Sequence, residues 1–113
     1  MQERFRFRAW DRIHKVMHYN VEMDDKKRFF SSVLQNDCFV LMQSTGLKDR
    51  NGKLIYEGDI LCHPQLPHKV VVEWFQCGFW LNGYQNGAKR SLHDVCKFYE
   101  VIGNIYDGEN KNV

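Results

Sequence analysis

The sequence predicts a mainly β protein: an N-terminal β-hairpin packed on a small SH3-like, five-stranded barrel, with at most one or two short helical turns. Three observations carry that prediction. Residues 4–10, RFRFRAW, alternate charge with apolar side chains, the period of a strand. Apolar runs of strand length, CFVLM at 38–42 and VVVEW at 70–74, recur between breakers. Glycine-centred turn signals stand at Asn51-Gly52, Gly58-Asp59, Asn82-Gly83 and Asn86-Gly87, and such punctuation between short strands marks sandwiches and small barrels.

The 113 residues suit one domain. We divide them into a hairpin and irregular segment over 1–45, a barrel-like part over 46–106 and a polar tail over 107–113. Hydrophobic content is 43% and aromatic content 14%, which excludes a disordered chain. The net charge of +2 is too small to argue by itself for nucleic acid or an acidic membrane. No signal-peptide pattern opens the chain, and no apolar run approaches the roughly 20 residues that span a bilayer. The expected setting is the cytoplasm, with no membrane partner and with Cys38, Cys62, Cys77 and Cys96 reduced.

Val16–Tyr19 returns after a polar turn to complete the N-terminal hairpin. Between Asn20 and Cys38 no 3.6-residue period persists, so a loop or irregular segment is expected. Gln43 to Gly46 breaks the strand begun at Cys38. Leu47 to Leu61, LKDRNGKLIYEGDIL, reads as a hairpin leading into the next strand. Asn51 and Gly52 tolerate the positive φ of its turn. Gly46 and Gly58 are assigned to turns for the same reason, and Asp59 to bonding the local backbone. Val70–Trp74 is a β-branched central strand, and Gly78–Leu81 pairs with it. Ser91 has capping-box spacing for one helical turn toward Phe98. Tyr99–Tyr106 is the last strand. Ile55, Ile60, Ile102 and Ile105 are expected in the core.

Three blocks resemble the YopX-like proteins of phages and prophages: Phe7 to Asp11, FRAWD; Leu41 to Lys53, LMQSTGLKDRNGK, continuing through Ile55-Tyr56-Glu57-Gly58-Asp59-Ile60; and Glu100 to Tyr106, EVIGNIY. They stand in the family's order and span nearly the whole chain. The resemblance implies a phage or prophage accessory protein of mixed or mainly β fold, in the cytoplasm of a bacterial host. It carries over no catalytic residues. Asn20 to Cys38 and Cys62 to Lys69 match nothing in the family pattern.

No cofactor or metal is expected. Cys62, His63, His68, Cys77, His93 and Cys96 include suitable ligand types, but none form a C-x₂₋₄-C pair. Cys77 or Cys96 beside His93 or His68 could form a Cys–His pair, but nothing local marks a nucleophile. Glu57 and Asp59 would be the acid–base pair, but turn chemistry explains them more simply. No phosphate-binding glycine loop occurs. An enzyme is therefore not expected.

The expected function is binding to a host or phage protein, or self-assembly. The rings Trp74, Phe75, Trp80 and Tyr84 border turns, where recognition concentrates, and Trp, Tyr and Arg are enriched at binding hot spots. The alternative partner is nucleic acid. Arg4, Arg6 and Arg8 at period two form a positive row able to track phosphates, and the same rings, with Phe79, could stack on bases.

Overall fold

In the computed structural model, residues 5–23, 37–66, 68–84 and 87–106 are described. Arg4, most of the Asn20–Cys38 segment and the 107–113 tail lie outside the described residues.

The N-terminal hairpin forms as the alternation predicts. β1 (Phe7–Asp11) pairs antiparallel with β2 (Val16–Tyr19). Asp11 closes the connecting loop: its Oδ1 accepts from Ile13 N at 2.9 Å and His14 N at 3.0 Å. A 3-10 turn at Val21–Met23 follows. Glu22 Oε1 accepts from Phe7 N at 2.8 Å, and Val21 is buried with Ala9 in a small apolar cluster.

β3 (Phe39–Lys48) lies on the other side of β1, and β4 (Leu54–Tyr56) folds back on it. The first sheet has the order β2-β1-β3-β4. The Asn51-Gly52 turn joins β3 to β4 as expected, with Gly52 at φ +82°. The expected break at Gln43–Gly46 is instead a register shift inside one continuous strand. Local side-chain bonds hold that shift: Ser44 Oγ accepts from Gly46 N at 3.0 Å, and Thr45 Oγ1 donates to Ile55 O at 2.8 Å. A glycine in a strand often marks such a bulge rather than an end.

The Glu57-Gly58 turn carries the chain from the first sheet to the second. Gly58 adopts φ +86°, and a Cβ there would approach Met42 Sδ to 3.1 Å. Its N donates to Val72 O at 2.8 Å and its O accepts from Ile105 N at 2.9 Å. One residue thus ties three segments together.

The second sheet contains β5 (Asp59–Cys62), β6 (Lys69–Phe75), β7 (Gly78–Asn82), β8 (Lys89–Ser91) and β9 (Glu100–Asn104). Their order is β8-β7-β6-β5-β9, and the sheet curls as a half-barrel. Its core is Ile55, Leu61, Val70, Val72, Leu81, Leu92 and Tyr99. Each large aliphatic there stabilises the fold by about 1.5–3 kcal/mol relative to exposure. Helix α1 (Leu92–Val95) and a 3-10 turn at Cys96–Phe98 connect β8 to β9. Ser91 precedes the helix but makes no side-chain cap bond. Ile102 and Ile105 are not core: they are 44% and 49% exposed, Ile102 on the edge strand β9 and Ile105 in the turn just beyond its end.

Gln76 and Cys77 form the β6–β7 turn at φ +48° and +62°. Two consecutive left-handed residues define the hairpin turn that favours Asn-Gly, and each L-residue there costs about 1–2 kcal/mol. The double substitution Gln76→Asn/Cys77→Gly should therefore stabilise the protein by about 1 kcal/mol, after the entropy glycine adds to the unfolded chain. Thermal unfolding would read this as a rise of a few degrees. An unchanged midpoint would refute it.

Candidate binding surfaces

The described members of the arginine row, Arg6 and Arg8, do not form an exposed track. β1 is the second strand of its sheet, so neighbours cover both of its sides. Arg8 is 2% exposed. Its Nη2 pairs with Asp59 Oδ1 at 2.8 Å and donates to Glu57 O at 3.1 Å. Its guanidinium also lies 4.8 Å from the Tyr56 ring centroid. Asp59 does bond the local backbone, accepting from Tyr56 N at 2.8 Å. It also holds Arg8 across the seam between the sheets, a contact that turn chemistry alone does not foresee. Burial pushes the Asp59 carboxyl up, and Arg8 and Tyr56 N–H only partly pull it back. Arg6 is half-buried.

The four predicted rings divide into two pairs. Trp74 is 57% exposed and Phe75 39% exposed. Trp74 opposes Phe79 across β6–β7, with ring centroids 5.0 Å apart. The pair extends the inward stripe that begins at Val72 and Leu81, so core-type side chains overhang the core at the hairpin tip. Phe75 lies on the opposite face under Lys89 Nζ, 3.8 Å from its centroid, and Lys89 pairs with Glu73. Trp80 is half-buried, with its Nε1 buried and unbonded among the described residues. Tyr84 is half-buried, and its hydroxyl bonds that of Tyr99. Burial and that bond push the Tyr84 phenol well above its usual range.

The structure adds a surface that sequence reading missed. An open groove of about 480 Å³ lies beside the Tyr84–Tyr99 pair. His63 and His68 pack edge-on against Tyr99 and Tyr84, each at 5.3 Å between centroids. Arg90 sits over the Tyr84 ring at 5.3 Å. Phe98, 52% exposed, forms part of the rim. Part of the signal was present in the sequence: His63 and His68 fall in the Cys62–Lys69 segment that matches no family pattern. Their convergence with Arg90 and Phe98 depends on tertiary folding.

Cys77 and His93 line a separate cavity of about 330 Å³. Cys96 Sγ instead contacts His93 O at 4.0 Å. The four cysteines form no disulfide. Among the described residues, no three His, Cys, Asp or Glu side chains cluster as metal ligands. No helix among them is long and apolar enough to cross a membrane.

These features define a small antiparallel protein of two sheets, locked at their seam by a buried ion pair and bearing an open, ring-lined groove. The chain belongs to the YopX protein family, whose model matches residues 6–110. Its fold is similar to the crystal structure of protein EF1440 from Enterococcus faecalis, at 26% identity and TM-score 0.63, covering 94% of this chain and 96% of that one. It is also similar to the crystal structure of protein yopX from Bacillus subtilis, at 22% identity and TM-score 0.59, covering 92% and 94%. No curated protein matches the chain.

Proposed function

We propose that this chain is a non-enzymatic accessory protein of a phage or prophage, acting in the cytoplasm of its host by binding a host or phage protein. The single observation that supports this reading is the overhang of Trp74, with Phe75 behind it, at the β6–β7 tip. Trp74 continues a buried stripe out to the hairpin tip and stays 57% exposed there, beside the Phe79 ring, so it offers a ready apolar anchor for a partner to cover. Trp is also the residue most enriched at interface hot spots. A second copy of the chain is the other protein that fits the same surface.

The test pairs affinity capture with light scattering. The wild-type chain should recover a stoichiometric partner or behave as a dimer. Trp74→Ala should weaken that association by about 2 kcal/mol, near thirtyfold, while thermal stability stays within about 1 kcal/mol of wild type. A monomer that captures nothing, or capture unaffected by Trp74→Ala and Phe75→Ala, would sink the proposal.

A further inference from the structure

We propose that the groove beside the Tyr84–Tyr99 pair binds single-stranded nucleic acid, on a surface distinct from Trp74. The groove continues into a second open depression of about 350 Å³, with His63 and Phe98 shared between the two. Arg90 stands in the first part, Arg50 and Lys97 in the second. Among the described residues, no carboxylate lines either part. The connected surface therefore carries cations at both ends and rings between them. A positive track interleaved with stacking platforms is the pattern that holds single strands without reading their sequence.

The rings have separate roles. Tyr99 is 4% exposed and belongs to the core, and Arg90 covers the Tyr84 face. Phe98 is the exposed ring at the junction of the two parts, with Lys97 Nζ 5.4 Å from its centroid. It is placed to stack a base while Lys97 and Arg50 meet the phosphate on one side and Arg90 the phosphate on the other. His68 also lines the groove, with both ring nitrogens buried and no hydrogen-bond partner for them among the described residues. His63 Nδ1 already accepts from Gln65 N at 3.0 Å, which leaves Nε2 to carry its proton. The sequence placed phosphate contacts on the β1 arginines, and the fold buries Arg8 there. The cations at this groove are separate from that row.

The test is fluorescence anisotropy with labelled single-stranded DNA and RNA of about ten nucleotides, within the usual site size of such grooves, at several salt concentrations. Binding should weaken with salt at a log–log slope near −2, about −0.7 for each of three neutralised phosphates. Arg90→Ala and Lys97→Ala should each reduce that slope by about 0.7. Phe98→Ala should weaken binding about tenfold with little change in slope, as lost stacking does. Phe98→Leu, which keeps apolar bulk on an exposed site, guards against a folding artefact and should weaken binding as well. Lys53→Ala, outside the groove, and Trp74→Ala, at the far end of β6, should leave binding unchanged. This separates the inference from the protein-binding proposal. No binding at low salt would overturn it, as would wild-type affinity in the Phe98 variants. Equal displacement by polyglutamate would overturn it in favour of an acidic peptide.

Discussion

Arg8→Met is expected to destabilise the protein by about 3–5 kcal/mol, the usual cost of leaving one partner of a buried ion pair alone. The substitution keeps an apolar stem of similar length, so packing against Tyr56 largely survives. What is lost is the cation facing Asp59, whose side chain is 3% exposed. Asp59→Asn should cost less. It leaves Arg8 without its carboxylate, but the amide oxygen can still accept from Tyr56 N. The double variant Arg8→Met/Asp59→Asn should be more stable than the sum of the single costs allows, by at least 1 kcal/mol, because neither buried charge is then stranded. Urea midpoints of the four proteins decide the matter. Strictly additive costs would show that the pair contributes nothing specific to the seam.

How much of this was legible depends on how local each feature is. The Asn51-Gly52 turn and the Gly58-Asp59 turn follow from backbone chemistry within four residues, and both formed. The Val70–Trp74 strand and its Gly78–Leu81 partner were legible because β-branched runs and a tight connection are also local. β8 was missed, because Lys89-Arg90-Ser91 shows no apolar alternation and pairs only because β7 offers an edge. Gly46 reads as a stop in the sequence because a glycine between two strands and a glycine in a bulge look alike there.

The candidate site was less legible, for a specific reason. Alternation of arginine and phenylalanine states that two faces differ, not that one of them is wet. β1 lies between β2 and β3, and its polar face meets the second sheet, where Asp59 waits 51 residues away in sequence. Ile102 and Ile105 fail in the opposite sense: apolar identity alone could not reveal that β9 would close the sheet as an edge and end before Ile105. The groove combines residues from the loop after β5, the loop after β7, β8, helix α1 and the turn before β9. No local pattern joins positions so far apart.

Asp49 should be the second most sensitive position. Its carboxylate binds three backbone donors: Asn51 N at 2.8 Å and Lys53 N at 2.9 Å on Oδ1, and Val101 N at 2.9 Å on Oδ2. It therefore shapes the β3–β4 turn and fastens it to β9, reinforced by Arg50 N donating to Tyr99 O at 2.9 Å. Asp49→Ala strands those donors in a site where the residue is 6% exposed, and should cost about 3 kcal/mol. Asp49→Asn keeps one acceptor oxygen, turns an NH₂ toward a donor, and should cost about 2 kcal/mol. Burial raises the Asp49 carboxyl, but the three N–H donors and Lys53 together outweigh it and leave it below its ordinary value. The sign for acid follows. Above the unfolded value near 3.9, roughly the ordinary aspartate pKa, the carboxylate is charged in both states and its full contribution is present. As pH falls below that value the unfolded chain takes the proton first, and the contribution is lost by the time pH passes the lower folded value. Asp11, lowered chiefly by the His14 backbone bond, acts in the same direction. Asp59, raised by burial, acts in the other: the fold holds its proton more tightly than the unfolded chain does, so its contribution declines as pH rises through the folded value. Urea midpoints measured from pH 5 down to about 2.5, across that window, should fall steeply for the wild type and more gently for Asp49→Asn. Parallel curves would show that the Asp49 carboxylate does not hold the turn to β9 through its charge.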